Sequence, residues 1–172
     1  MTELHYEEVD SPIGAILLAA DGEALCALDY AGCEARMREL LRSRYGDVKL
    51  TAGASRSDHR SRLEAYFAGD LAAVNSIRIR PGGTAFQQLV WNALRAIPAG
   101  KTMSYGEIAA GIGAPRAARA VGLANARNPI AIVVPCHRVI GANGALTGYA
   151  GGLDRKRWLL AHEGARPGIT LA

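Results

Sequence analysis

The stretch TAFQQLVWNALRAIPAGKTMSYGEIA, residues 84–109, decides the fold of the second half of the chain. Its apolar residues recur at i, i+3, i+4 and i+7, which is the period of an amphipathic helix. A capping box predicts that this helix begins at Thr84, and a second capping box at Ser104 predicts a shorter helix that continues to about Ala110. The first helix would bury Phe86, Leu89, Val90, Ala93, Leu94 and Ile97.

The residues that follow predict a third helix and a helix-turn-helix. The connector GIGAP, residues 111–115, leads into RAARAVGLANAR, residues 116–127, a helical segment that must stop before Pro129. Two short helices joined by a Gly-containing turn match helix-turn-helix geometry, and arginines on the second helix would reach phosphates or bases. Its small residues would equally suit packing against the protein's own core, so the pattern alone does not establish DNA binding.

The first half of the sequence predicts a small α/β domain. Two short apolar runs between residues 14 and 30 are separated by Asp21-Gly22, a strong hairpin-turn signal. Helices are expected over residues 33–46 and 57–70. The alternating segment NSIRIR, residues 75–80, is expected to be a further strand. We find no catalytic motif in this half of the chain.

Structure-breaking residues and a change in charge balance both place a domain boundary at the same point in the chain. RPGGTAF, residues 80–86, breaks regular structure and predicts domains 1–83 and 84–172. Residues 1–84 carry 10 Lys and Arg against 13 Asp and Glu, a net charge of −3, whereas residues 85–172 carry 10 against 3, a net charge of +7. A basic C-terminal half indicates a polyanionic partner, nucleic acid first, although charge alone does not exclude a merely basic surface.

No membrane span, metal site or cofactor motif stands out in the sequence. No apolar run approaches ~18 residues, and the N-terminus MTELHYEEVD lacks the order of a secretion signal, so we expect a cytoplasmic location and no membrane contact. Cys26 and Cys33 with His5 have no standard zinc-ligand spacing, and no metal is expected. The absence of a phosphate loop or dinucleotide motif leads us to expect no cofactor.

Cys136 and His137 stand side by side after the apolar run PIAIVVP, residues 129–135, which we interpret as an extended segment. A free thiol has a pKa of about 8.5, so a neighbouring base is needed to form thiolate at neutral pH. His137 would accept the proton, and Glu163, in a closing helix that begins near Asp154 and ends just before Gly164, would orient the imidazole. Adjacent side chains of a strand point to opposite faces, which favours a bridging water or a bend before the cysteine over direct contact. A buried, inert cysteine is the alternative.

The motif PCHRV, residues 135–139, followed by GYAGG and RKRWLLAHEG, resembles the signature of the O6-alkylguanine-DNA alkyltransferases, also called methylated-DNA-protein-cysteine methyltransferases. The resemblance spans residues 84–164 almost without gaps, DSPIG near the N-terminus also matches, and the constitutive bacterial type is the most similar. It implies an α/β N-terminal domain with a small, ribonuclease H-like sheet. It also implies a mostly α, winged-helix-like C-terminal domain with a helix-turn-helix.

The resemblance further implies a role for each residue of the acceptor site. Cys136 would be the nucleophile, His137 the base acting through a water, and Glu163 the residue that holds the histidine. Asn128 would be the hinge that ties the recognition helix to the active-site segment. Tyr105 would hydrogen-bond the flipped base and help to protonate it. Without the family, Tyr105 would be interpreted as a core aromatic residue and Asn128 as a helix C-cap.

DNA contacts are implied in the same way. Arg119 would be the finger that enters the base stack, where the alternative is one phosphate contact among several. The other implied DNA contacts on its helix are Ala117, Ala118, Ala120 and Gly122. The implied lining of the base pocket is Val139, Tyr149, Ala150 and Gly151. Extruding a base costs a few kcal/mol, which an inserted side chain would partly offset.

The function implied by the resemblance is DNA repair by direct reversal of damage. The alkyl group of O6-alkylguanine, and of O4-alkylthymine, in duplex DNA would move irreversibly to Cys136, once per molecule, because a thioether has no good leaving group. Ala150 stands where some members carry a serine, so we expect larger O6-alkyl groups to be accepted. The expected partner is double-stranded DNA with alkylated bases, approached through the minor groove by a monomer, with cooperative binding left open.

Two other classes of protein remain as alternatives. A DNA-binding module that flags damage without chemistry would lack the cysteine, whereas Cys136 is present together with its proposed partners. A Cys-His hydrolase would need an oxyanion hole and repeated turnover, and nothing in the sequence indicates either.

Overall fold

The computed structural model describes residues 1–53 and 57–165, which form two compact units. Among these residues, the first unit comprises 1–53, 57–82 and 129–133, and the second comprises 83–128 and 134–165. The segment 129–133 therefore groups with the first unit, although it lies in the C-terminal half of the sequence. Within the described ranges no helix is long and apolar enough to cross a membrane.

A four-stranded sheet in the order β3-β2-β1-β4 forms the frame of the first unit. Its strands are β1 (Thr2–Val9), β2 (Ile16–Asp21), β3 (Ala24–Tyr30) and β4 (Val48–Ala52). β2 pairs antiparallel with both β1 and β3, whereas β1 pairs parallel with β4. The hairpin predicted at Asp21-Gly22 joins β2 to β3, and Gly22 has a φ of 59°, which glycine adopts without steric penalty.

Two strands of this sheet carry no clear sequence pattern, and one predicted strand is wrong. β1 buries only Leu4 and Val9, and β4 buries no residue, so neither shows the alternation that marks a half-buried strand. The first two residues of NSIRIR belong to a 3-10 helix, Ala73–Ser76, and Ile79 makes a single bridge to Leu25 of β3. One bridge is too little pairing to count as a strand.

Helices α1 (Glu34–Tyr45) and α2 (His59–Phe67) complete the first unit, both within the predicted segments. α1 ends at Tyr45 with Gly46 as its C-cap, one residue from the predicted end, and it buries Met37 and Leu41. The core that α1 shares with the sheet comprises Leu4, Leu17, Ala19, Cys26, Ala27, Met37 and Leu41. Cys26 is thus a core residue, and its sulfur lies 3.3 Å from the Tyr45 hydroxyl.

The second unit is mostly helical. Its helices are α3 (Ala85–Arg95), α4 (Tyr105–Gly111), α5 (Ala118–Ala126) and α6 (Leu153–His162). A short parallel pair, β5 (Met103–Ser104) and β6 (Val139–Ile140), accompanies them. The capping boxes at Thr84 and Ser104 are both formed, which confirms the predicted starts of α3 and α4. α3, α4 and α5 pack against one another.

Helix α3 buries only part of its predicted face, because Phe86 and Ala93 are half-buried. Val90 and Leu94 are buried, but Leu89 is 53% exposed, so its prediction as a core residue is wrong. Trp91 is buried instead, and its indole N–H donates a 2.9 Å hydrogen bond to the Ala124 carbonyl of α5. The indole ring is large and its N–H needs an acceptor. The side of α3 that carries Trp91 is therefore buried against α5.

Candidate active site

The segment that leads to the cysteine is a turn, which corrects the predicted extended strand. Residues 131–133 form a turn in which Ile132 has a φ of 70°. Cys136–Arg138 then form a single turn of 3-10 helix. A 3-10 helix has three residues per turn, so neighbouring side chains project about 120° apart rather than to opposite faces. The argument from strand alternation against a Cys136–His137 contact therefore does not apply.

Asn128, two residues after the end of α5, is tied to the segment before the cysteine. Its side chain is buried, and Nδ2 donates a 2.8 Å hydrogen bond to the Val134 carbonyl. This bond spans residues 129–133, so the end of α5 is held directly to the residue two positions before Cys136. The hinge role predicted for Asn128 is compatible with this contact.

His137 is 0% exposed and is held by a carboxylate. Its Nε2 lies 2.8 Å from Oε1 of Glu163, whereas its Nδ1 has no hydrogen-bond partner among the described residues. Burial lowers the pKa of His137, and the hydrogen bond to Glu163 offsets only part of that effect. The imidazole is therefore neutral at pH 7, with its proton on Nε2 facing the carboxylate. Nδ1 keeps a lone pair that can accept a proton.

Arg138 holds the other side of the carboxylate, a role that the sequence pattern did not reveal. Its Nε lies 2.9 Å from Oε2 of Glu163 and its Nη2 2.8 Å from Oε1, while Nη1 donates to the Ile97 carbonyl at 2.6 Å. Burial by itself would raise the pKa of Glu163, but the hydrogen bonds from His137 and Arg138 outweigh it and hold that pKa well below its usual range. Glu163 is therefore an anion that orients the imidazole.

Tyr105, the first residue of α4, faces the loop that follows β6. Its hydroxyl lies 2.7 Å from Oγ1 of Thr147, and either oxygen can donate. Its ring also packs beside Gly122 of α5, where an added Cβ would lie 3.7 Å from the tyrosine Cδ1. Gly122 is thus a helix-packing position as well as a predicted DNA contact. Thr147 was not predicted, although it directly precedes the GYAGG motif.

The residues predicted to line the base pocket lie on β6 and on the loop that leads into α6. Val139 is buried, Tyr149 and Gly151 are half-buried, and Ala150 is exposed. The loop begins with the turn predicted at Asn143-Gly144, and it ends where the Gly152 amide donates to the Tyr149 carbonyl at 2.9 Å. The base pocket itself remains a prediction.

Helix α5 presents the residues predicted to contact DNA. Arg119 and Ala120 are exposed, while Ala117, Ala118 and Gly122 are half-buried. Leu123, one turn after Arg119, is 65% exposed and was not singled out by the sequence pattern. An exposed arginine beside small side chains gives this helix a basic, closely approachable face.

A buried cysteine followed by a buried imidazole that a carboxylate holds is compatible with the class of proteins that use a cysteine as nucleophile. Among residues 1–53 and 57–165 no three His, Cys, Asp or Glu side chains are grouped to hold a metal. The chain belongs to the 6-O-methylguanine DNA methyltransferase family, whose DNA-binding domain matches residues 85–165 and whose ribonuclease-like domain matches residues 4–81. The two-domain organisation implied by the sequence is thereby confirmed.

Similar proteins cover nearly the whole chain. The methylated-DNA--protein-cysteine methyltransferase of Salmonella typhimurium is 49% identical over 170 residues, which are 95% of this chain and 98% of that protein. The protein of the same name from Methanosarcina acetivorans is 52% identical over 162 residues, 94% of this chain and 99% of its own. The crystal structure of Mycobacterium tuberculosis OGT in complex with DNA superposes with a TM-score of 0.78 at 48% identity, covering 93% of this chain and 92% of that one.

Proposed function

We propose that this protein repairs DNA by moving the alkyl group of O6-alkylguanine in duplex DNA to its own Cys136. The observation that carries the proposal is the environment of the residue next to the cysteine. His137 is buried and neutral, its Nε2 is held by Glu163, and its Nδ1 is left as a proton acceptor. The relatives named methylated-DNA--protein-cysteine methyltransferase support the same activity.

The proposed reaction is a single displacement at the alkyl carbon. The thiol of Cys136 gives its proton to His137, directly or through a water, and the thiolate attacks the carbon. A sulfur–carbon bond forms as the carbon–oxygen bond breaks, and the electron pair of the broken bond stays with the guanine. The hydroxyl of Tyr105 donates a proton to the departing base, and the proton that His137 took from the thiol returns to Tyr105 through solvent. Unmodified guanine and a Cys136 thioether result, and because the thioether has no good leaving group, each molecule reacts once.

The helices α4 and α5 would act as a helix-turn-helix within a winged-helix-like unit, placed in the minor groove. The damaged base lies inside the duplex, so it has to be extruded before the thiol can reach it. The exposed face of α5, with small residues beside Arg119, would allow close approach, and Arg119 would fill the gap in the base stack.

The decisive experiment follows a labelled methyl group. Duplex DNA with labelled O6-methylguanine is incubated with the protein, and the label is counted and mapped by peptide mass spectrometry. We expect one equivalent of label per protein, all on Cys136, with no further transfer when fresh DNA is added. Binding without transfer would favour a damage-flagging module, and repeated turnover with release of label would favour a hydrolase.

The range of substrates is tested separately with O6-benzylguanine and O4-methylthymine duplexes. Ala150 is exposed in the loop predicted to line the base pocket, so nothing larger than a methyl group restricts the pocket at this position. We propose that both substrates are accepted. If both leave Cys136 unmodified while O6-methylguanine reacts, the broad range is wrong and methyl transfer stands.

Replacing Arg119 with alanine is expected to slow transfer from duplex DNA about tenfold, because the inserted side chain offsets part of an unstacking cost of a few kcal/mol. Transfer from free O6-benzylguanine, which needs no extrusion, should be unchanged. The matched control is Arg116→Ala, an exposed arginine just before the same helix, which should weaken DNA affinity only. Equal slowing with the free base would contradict the finger role.

The pH dependence of transfer should reveal the buried imidazole. Because burial lowers the pKa of His137 below its ordinary value of about 6.5, the base-competent neutral form persists as the pH falls through 6.5. Single-turnover rates at saturating duplex should therefore not yet fall at pH 6.5 and should decline only at lower pH. His137→Gln should reduce the rate by about 100-fold or more. A wild-type midpoint at 6.5 or above would contradict this assignment.

A further inference from the structure

Helix α5 buries little side-chain surface of its own. Of its nine residues, three are buried, namely Val121, Ala124 and Asn125, and the last two of these are small or polar. Ala117 at its N-cap carries no side-chain oxygen that could accept a hydrogen bond from the first turn. A helix this short is marginal in water without tertiary contacts. The position of α5 therefore depends on the elements that pack against it.

Trp91 of α3 holds the last turn of α5. Its side chain is buried, and its indole N–H donates a 2.9 Å hydrogen bond to the Ala124 carbonyl. The last carbonyls of a helix have no partner four residues further on, so they need donors from elsewhere. The Arg127 amide also donates to this carbonyl, at 3.2 Å, and the indole therefore gives the shorter of the two bonds. Because the ring is rigid, this bond ties the end of α5 to α3.

The far edge of the same indole ring lies against the backbone of Gly83. Gly83 has a φ of 82°, and a Cβ added to it would lie 2.6 Å from Cη2 and Cζ3 of Trp91 and 2.8 Å from Oε1 of Gln87. These separations are too short for a carbon atom to fit in a close-packed interior. Gln87 Oε1 is also committed, because it accepts the Thr84 amide at 2.9 Å in the capping box of α3. A side chain at position 83 would therefore displace the ring or open the capping box.

We infer that Gly83 and Trp91 are positioning residues that together set the place of α5, and with it the exposed face proposed to contact DNA. That face carries Arg119 and Leu123, one turn apart and both exposed. Gly83 leaves room for the ring, and the ring holds the end of the helix, so both act through α5 rather than by touching the base. A shift of about 1 Å in a supporting element is enough to impair a functional site. This inference rests on the proposed role of α5 in DNA binding.

Gly82 provides a matched control for Gly83. Its φ is 65°, so an alanine at position 82 meets backbone strain of the same kind as an alanine at position 83. The added Cβ would lie 2.5 Å from Nε and 2.6 Å from Cδ of Arg44, which is the end of a flexible side chain that can move aside. The two substitutions therefore share the backbone strain and differ in whether the indole ring has to move.

The test compares Gly83→Ala with Gly82→Ala. Hydrogen exchange in the free protein, measured by mass spectrometry on peptides that cover residues 118–128, should be about tenfold faster in Gly83→Ala and unchanged in Gly82→Ala. Affinity for O6-methylguanine duplex, measured by fluorescence anisotropy, should weaken about tenfold in Gly83→Ala and less than twofold in Gly82→Ala. Alkylation of Cys136 by iodoacetamide should stay within about twofold of wild type in both, because the thiol itself is not moved.

Equal affinity of the two glycine variants for the duplex would overturn the inference, and so would faster exchange in α5 without weaker binding. A large change in the alkylation of Cys136 would also overturn it, because it would show general damage to the second unit. Hydrogen exchange needs no DNA, so failure of the proposed repair reaction would not affect that readout.

Trp91→Phe keeps the inference falsifiable if Gly83→Ala does not fold. It removes the indole N–H together with the ring edge that the added Cβ would meet, and by itself it should weaken duplex affinity about threefold because the Ala124 carbonyl loses its shorter bond. In the Trp91→Phe background, Gly83→Ala should cost no more affinity than Gly82→Ala, since the clash with the ring is gone. Wild-type affinity in Trp91→Phe, or additive losses in the double variant, would contradict the proposed roles.

Discussion

Replacement of Cys136 by alanine should abolish methyl transfer from O6-methylguanine duplex completely, with no label on the protein above background. The thiol is the only group of the proposed reaction that forms a bond to the alkyl carbon, so no partial activity is expected. Affinity for the alkylated duplex should stay within about twofold of wild type, because phosphate contacts dominate DNA affinity and Cys136 makes none of them in the proposed complex. Transfer is measured with labelled DNA and affinity by fluorescence anisotropy.

Cys33→Ala provides the matched control. Cys33 is half-buried at the start of α1, so it is more exposed than Cys136, but it belongs to the first unit and has no neighbouring histidine in the sequence. This variant should transfer the methyl group at the wild-type rate. Label on Cys26 or Cys33 in the Cys136→Ala protein would contradict the assignment, since it would show that another thiol can reach the alkyl carbon.

Local sequence signals predicted the helices of this protein better than its strands. The capping boxes at Thr84 and Ser104 are contacts between residues three apart, so they can be read directly from the sequence. β4 is recognisable only through its parallel pairing with β1, more than 40 positions earlier, and it buries no side chain of its own. Leu89 was misassigned because the hydrogen bond from Trp91 to α5 decides which side of α3 is buried.

In the candidate site, too, some residues were predicted from the sequence and others were not. Cys136, His137 and Glu163 were predicted together, and the structure brings the histidine and the glutamate into contact. Arg138 and Lys156 were missed because a charged side chain is normally expected at the surface. Their burial depends on acceptors 25 and 17 positions away, Glu163 and the Val139 carbonyl, which no local pattern predicts. The roles assigned to Asn128, Tyr105 and Arg119 remain predictions.

Removal of the Arg138 guanidinium should damage both stability and transfer. In Arg138→Met the carboxylate of Glu163 stays buried with only His137 to compensate it, and breaking a buried ion pair from one side costs about 3–5 kcal/mol. We expect the free energy of unfolding from urea titrations at pH 7 to fall by about that amount. Transfer should fall about 100-fold as well, because a protonated or displaced Glu163 no longer fixes the imidazole.

The pH dependence and a double substitution separate charge from packing in this variant. Hydrogen bonds from His137 and Arg138 hold the pKa of Glu163 below its unfolded value of about 4.3, so the ionised carboxylate contributes stability above that pH and loses it as the pH falls further. The difference between wild type and Arg138→Met should therefore narrow below about pH 4.3. Adding Glu163→Gln to Arg138→Met removes the buried charge and should restore much of the stability while transfer stays low. A double variant as unstable as Arg138→Met would show that lost packing, and not an uncompensated carboxylate, dominates the effect.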